Sequence, residues 1–531
     1  MSVNFARKAT GLVRQAGARD VFVYNVNFIN IAIGVAFMIL FMPSGSYPGT
    51  SMELATILCT LFVLPTSLVY AMFASAMPRS GGEYVYVSRV LSPLMGFVAN
   101  WNYTIWSFFY IGVPAAFLGR YGVSALAREL GVFFHAPGLI QIGNWFVTPF
   151  GVAITGTILI VLFAAIFVVG VSTYMKVQNV LFLIATGGIV ITLIVLLGKN
   201  PSTSLGLFNH YTGTFSGYHN TYHHIVSTLG SNQVKPAPFS LHSTLMSMTW
   251  PFTVLGFSIA SAYIGGEIKG ANRAQLIGMP GALIYSALWI LALVSVVVHA
   301  FGLNFLGNLG AVNPTRVHLS FTPTFAELAA MLVSNPLVLI LIGMGFMLWT
   351  YAWLPIYLLT TTRNMLAWSL DGLLPSKVSE VDDRLHTPVW AIVISAFLGV
   401  VFLWIYAYDP AFGTIAGFFG QVVGTFLVTS IAAVLFPYRQ RDIFESSPVA
   451  WKLGSVPVIS ILGGLSIIGM LVIAWAFLND PLSGISFSHP FMLIINAAVF
   501  LGGFIFYWGA KWVRSRQGVD VNLAFAEIPP E

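Results

Sequence analysis

Charge is what this 531-residue sequence has least of: 8% of its residues are Asp, Glu, Lys or Arg, where a soluble domain carries about a quarter. With 57% hydrophobic residues and a mean hydropathy of +0.85, a soluble globular fold is excluded and the chain reads as a polytopic membrane protein. Cysteine is nearly absent as well. The single Cys59 lies in an apolar run as a small hydrophobe, and it rules out a disulfide within the chain or a cysteine-based metal site. No nucleophile and base set, paired carboxylates or metal-ligand spacing is evident. The chain is therefore expected not to be an enzyme, to have no catalytic residue or metal, and to need no cofactor. Residues 1–20 are polar and basic, without the apolar core of a cleavable signal.

What the sequence has is long apolar runs. A helical span takes about 20 apolar residues, and twelve such segments follow one another between Val21 and Trp508. This predicts an all-α membrane protein of twelve transmembrane helices: one membrane domain over 21–508, between amino-terminal residues 1–20 and a tail at 509–531. Of the 23 Lys and Arg residues, only Arg120, Arg128, Lys199, Lys235 and Arg316 fall in loops opposite the termini. The positive-inside rule then places both termini in the cytoplasm of a multi-pass cell-membrane protein. The formal charge of +6 is topological, so a nucleic-acid partner loses its support. The expected partners are the lipid bilayer and a small solute, and the sequence assigns no oligomeric state.

Between the spans, Asn200 to Ser243 carries His210, His219, His223, His224 and His242. Clustered histidines suit a metal or a pH sensor, but the spacing matches no ligand pattern, and the stretch reads as a solvated loop. Gly302 to Thr322 also reads as loop, and Pro323 to Pro336 as an amphipathic helix on the outer face.

Two segments are interrupted. Thr249 to Arg273 is apolar but contains Pro251, Gly256, Gly265 and Gly266, and ends in Glu267, Lys269 and Arg273. Proline removes a backbone donor and glycine lowers helix propensity, so a helix broken here frees backbone groups. Lipid satisfies none of them, which confines such breaks to protein-packed or water-lined positions. The first segment, YNVNFINIAIGVAFM, places Asn25, Asn27 and Asn30 ahead of Gly34. Interrupted helices opening two consecutive five-span groups point to an inverted-repeat transporter.

Three loop clauses carry a family resemblance. Residues 77–89, MPRSGGEYVYVSR, look like a first cytoplasmic loop of the form PxxGGxYxY. Residues 267–273, EIKGANR, resemble ExKNPxR while departing from its Asn-Pro wording. Residues 362–375, TRNMLAWSLDGLLP, with Thr387 and Pro388 beyond, are similar to RxxxAxxDGxxP and a closing TP. In this order they resemble the amino acid/polyamine/organocation (APC) superfamily of permeases. The resemblance implies a leucine-transporter-type fold: a five-plus-five inverted repeat, about 21–198 and 245–436, with two extra carboxy-terminal helices at about 456–508. It also implies helices 1 and 6 unwound at the substrate, where a half-helix start takes a carboxylate and a half-helix end takes an ammonium.

Carried over by position, the resemblance places the helix 1 break at Ala32, Ile33, Gly34 and Val35, and substrate contacts at Tyr103, Phe252, Thr253, Leu255, Gly256, Phe257 and Ser258. Ile33 replaces a small polar residue of the pattern, and Ser258 stands where many relatives carry a Glu. Arg79, Gly81, Gly82, Arg89 and Glu267 form the expected inner loop and gate, with Glu267 paired to Arg79 or Arg89. A lysine that some proton-coupled relatives carry on helix 5 is replaced by Ala185, and Thr350 is the hydroxyl a sodium site would use. The coupling ion is left open between proton, sodium and ion-free exchange. The expected function is alternating-access permeation of amino acids, with polyamines or other organic amines of the same fold as the alternative. An integral-membrane enzyme and a non-transporting receptor are the readings from other classes.

Overall fold

The computed structural model describes residues 11–319, 322–382, 384–409, 415–488, 490–518, 521 and 525. Arg7 and Lys8, the expected start of segment ten at Phe412, and most of the 509–531 tail beyond Gly518 lie outside the described residues. Among the described residues ten helices are long and apolar enough to cross a membrane, and the fold there is all-α apart from one short hairpin, Lys452–Leu453 with Val456–Pro457. The other two expected segments, three and six, are not among these ten. Segment three is a more polar helix, Pro93–Phe117, and segment six is a chain of short pieces, Thr249–Leu255, Ala260–Tyr263 and Gly265–Glu267.

Hydropathy does not say which helices are central, but burial does. The first segment and the twelfth have similar mean hydropathies, 1.8 and 2.0, yet 94% of the first is buried in protein against 17% of the twelfth. The asparagines explain the difference, because a polar side chain in an apolar span needs protein partners. Segments three and eight are longer than the apolar runs suggest. Segment three continues through a wide turn, Leu118–Val123, into Ser124–Phe133, and segment eight runs Pro336–Thr350 and Trp353–Leu370 with a kink between. Segment five, Val171–Leu197, meets segment eight where a Cβ on Gly188 would lie 2.5 Å from Gly345 Cα, a close approach built on small residues.

Three loop expectations are corrected. The 200–243 stretch is not a plain solvated loop but folds into Pro201–Ser216, Thr221–Leu229 and Leu241–Met246. Asn200, Asn220 and Ser240 cap these helices with their side chains, the local signal that composition hid. Gly302 to Thr322 contains a helix, Leu303–Ala311. The helix within Pro323 to Pro336 spans only Phe325–Ala330 and is buried rather than lying on the surface. Its Glu327 is matched by Arg128 Nη2 at 2.9 Å, which makes that burial tolerable.

Candidate functional site

Segment one is broken, but at Asn30 rather than at Ala32 to Val35. Two nearly equal helices, Ala18–Ile29 and Ile31–Phe41, meet at Asn30, which sits in the left-handed region at φ 56°. Asparagine is among the few non-glycine residues that adopt this conformation readily, because its amide bonds locally. Here Asn30 Oδ1 accepts from the Ile33 N–H at 3.3 Å and caps the second half. Its Nδ2 donates to the Trp349 carbonyl at 3.0 Å. Trp353 Nε1 returns the bond, donating to the Phe28 carbonyl at 2.6 Å. The break in segment one and the kink in segment eight thus satisfy each other's freed carbonyls. Ala32, Ile33, Gly34 and Val35 form the first turn and a half of the second helix, all buried. The N–H groups of Ile31 and Ala32 are left as its open start.

Segment six breaks at Gly256, where its first helix ends. Phe252, Thr253 and Leu255 lie on that helix, and Gly256, Phe257 and Ser258 in the turn after it, all buried. The two broken segments pack side by side, the first half of each against the later half of the other. The second half of segment one packs on the first half of segment six so closely that a Cβ on Gly34 would lie 2.7 Å from Val254 Cγ2. The first half of segment one bonds the unwound part of segment six. Asn25 Oδ1 accepts from the Ser261 N–H at 3.1 Å, its Nδ2 donates to Ser261 Oγ at 2.9 Å, and Gln275 Nε2 donates to the Ser261 carbonyl at 2.8 Å.

Aromatic rings pack around the two breaks. Phe257 meets Phe28 at 5.4 Å and Phe418 at 5.1 Å, Phe28 meets Tyr357 at 4.8 Å, and Tyr110 stacks on Phe418 at 4.5 Å. Tyr103 stacks on Tyr263 at 4.9 Å and forms the floor. The Thr253 and Ser258 hydroxyls are engaged, donating to the Trp250 carbonyl and to Ser67 Oγ. Thr350, the hydroxyl named for an ion site, donates to the Met347 carbonyl of its own helix at 2.6 Å.

Sequence reasoning missed Gln421. Its side chain is fully buried, and neither amide atom has a hydrogen-bond partner among the described residues. It lies one helical turn from Phe418, and a buried amide without partners beside these aromatic rings is a polar handle in waiting. Replacing it with an isosteric apolar group removes whatever bond a ligand makes there, at about 1–3 kcal/mol. Gln421→Leu is therefore expected to weaken ligand affinity roughly tenfold or more while leaving the melting temperature unchanged or raised. A calorimetric titration checks it.

Beneath the floor, loop 77–82 runs under segment six. Gly81 and Gly82 have φ 105° and 54°, which only glycine adopts without strain. The Gly81 N–H donates to the Tyr263 carbonyl at 3.1 Å. Arg79 lies here too, its backbone against Gly265. Glu267 pairs not with Arg79 or Arg89 but with Arg363 of segment eight, through Nε at 2.6 Å and Nη2 at 3.1 Å. Arg89 instead faces Asp371 at 3.4 Å, and Tyr84 Oη donates to the same carboxylate at 2.8 Å. The reason is reach across elements: the Arg and Asp of the third loop clause fold back onto the first two clauses. The backbone N–H groups of Gln15 and Ala16 bond the Glu267 carbonyl at 2.8 and 3.0 Å. Phe525 packs against Arg89 and Tyr84. Both ends of the described chain therefore lie on this one face, which is sealed.

Residues 21–501 match the family described as amino acid permease. Curated relatives align over similar lengths. One is a methylthioribose transporter of Bacillus subtilis, 23% identical over 461 residues that cover 86% of this chain and 87% of the relative. Another is the branched-chain amino acid permease BcaP of Lactococcus lactis, 22% identical with 85% and 88% covered. A third is the glutamate/serine transporter AimA of Bacillus subtilis, 24% identical with 87% and 77% covered. A match of this extent, over a membrane-spanning chain whose loop clauses converge on one sealed face, makes this protein a member of the amino acid permease family of the APC superfamily.

Proposed function

We propose that the protein is an alternating-access permease for amino acids or close amine relatives, with its substrate held between the breaks of segments one and six. One observation carries the reading: two broken helices pack against each other inside the protein, one offering the open N–H groups of Ile31 and Ala32, the other the last carbonyls before Gly256. A half-helix start carries about half a positive charge and an end the opposite, so a zwitterion is matched without a charged side chain. The aromatic wall of Phe28, Phe257, Tyr357 and Phe418 favours an apolar side chain on the guest. The twelve-span, five-plus-five arrangement with both termini cytoplasmic belongs to this proposal. The sealed face is then the inner gate, opened by parting Glu267 from Arg363 and Asp371 from Arg89.

A thermal-shift screen of the purified protein against amino acids and amines tests this. Ligands of the folded state raise apparent stability by about 2.7 kcal/mol at a hundred times Kd. Neutral zwitterions are expected to stabilise more than diamines, equally with and without sodium. Stabilisation by diamines alone contradicts the assignment.

A further inference from the structure

Three acidic side chains are buried on the sealed face, and they are not alike. Glu267 and Asp371 each hold an arginine. Glu83, at the start of the short helix Glu83–Val90, is fully buried with no cation within ion-pair distance among the described residues. Its partners among the described residues are neutral: Asn100 Nδ2 donates at 2.8 Å and Tyr70 Oη lies at 3.5 Å. A buried carboxyl held only by neutral donors is far easier to protonate than one clamped by guanidinium.

Its position matters as much as its environment. Asn100 also accepts from Trp368 Nε1 at 2.8 Å, linking Glu83 to segment eight. Tyr70 of segment two, Met52–Ala76, reaches Thr429 of segment ten, Ala416–Arg439, at 3.2 Å. Gly82, the residue before it, lies against the Tyr263 ring, which stacks on Tyr103 under the proposed substrate. The carboxyl thus sits one layer below the site, where segments two, three, six, eight and ten converge. The titratable and charged groups around it are Tyr70 from segment two, Tyr103 from three and Tyr263 from six. Arg89 on its own helix is held by Asp371, and Arg363 of segment eight by Glu267.

The geometry points to Glu83 as the coupling-proton site of this permease: a carboxyl loaded and unloaded as the floor beneath the substrate opens and closes. This rests on the permease reading and names the ion that reading leaves open. The breaks of segments one and eight support a proton over sodium, since the Phe28 and Trp349 carbonyls are already bonded by Trp353 and Asn30. Burial, partly offset by the Asn100 amide, pushes the Glu83 carboxyl up to about 7. It is protonated below that pH and ionised above it. Because the folded protein keeps this proton to higher pH than the unfolded chain, the group's contribution to stability falls as pH rises from the ordinary carboxylate range toward 7.

Proteoliposomes test the proposal. With an inward proton gradient, the wild type is expected to accumulate the amino acid that stabilises it most, with a pH dependence turning over near 7. Glu83→Gln, which mimics the loaded carboxyl, should keep counterflow exchange within about twofold, lose accumulation and show a flat pH profile. Accumulation by Glu83→Gln with the wild-type pH profile overturns the proton site. A second measurement needs no variant: substrate added to wild type in weakly buffered detergent at pH 7 should shift the pH by a fraction of one proton per protein, and no shift overturns the proposal. A wild type that neither binds nor exchanges amino acids overturns the permease reading beneath it, whereas exchange without proton movement overturns Glu83 alone.

Discussion

Arg363→Ala is expected to destabilise the folded protein by about 3–5 kcal/mol, the cost of leaving one partner of a buried pair uncompensated. Arg363 and Glu267 keep only 1% and 5% of their side chains exposed and share two hydrogen bonds, so Glu267 would be stranded as a charge in a closed interior. The Glu267 backbone carbonyl is also the acceptor for Gln15 and Ala16, and loosening it frees the amino-terminal segment from the sealed face. The loss should show in a detergent melting curve and in faster proteolysis near residue 15. Combining Arg363→Ala with Glu267→Gln should restore most of the stability, because the stranded charge is gone, but not the seal. A double variant no more stable than the single one means the pair is not what holds this face.

Asn30→Ile is expected to abolish substrate binding while the protein still inserts and folds. The left-handed conformation costs a β-branched residue roughly 1–2 kcal/mol, and loss of the cap on Ile33 adds about 1 kcal/mol. The Trp349 carbonyl loses a donor as well. Together these favour a continuous helix through position 30 by about 3 kcal/mol, a shift of roughly a hundredfold. A straightened segment one buries the N–H groups of Ile31 and Ala32 in its own ladder. Asn30→Gly keeps the backbone conformation and loses only the side-chain bonds, so it should bind with intermediate affinity. Equal affinities for Asn30→Ile and wild type, by calorimetry, would contradict a site at this break.

The membrane class, the broken segments and the family could be read from the residues because each has a local cause. Scarce charge, Pro251 with Gly256, and the three loop clauses act where they stand in the chain. What the sequence concealed depends on partners distant in the chain. The sequence places the break in segment one at Ala32 to Val35, yet Gly34 there serves close packing on Val254, and the turn falls to Asn30, whose preference shows only once Trp349 is beside it. Glu267 was expected to join a nearby arginine of the first loop, and its partner is 96 residues away on segment eight. Gln421 gave no signal at all, since an isolated glutamine in an apolar run looks like any tolerated polar residue until its burial without a partner is seen.

The central claim is that the guest lies between the two breaks. Difference density from the protein bound to its most stabilising amino acid tests this directly. The carboxylate is expected at the Ile31 and Ala32 N–H groups, with the side chain against Phe28 and Phe257. Density instead in the cavity of about 730 Å³ that Tyr47, Glu53 and Lys235 line, with the space between the two breaks empty, would contradict it.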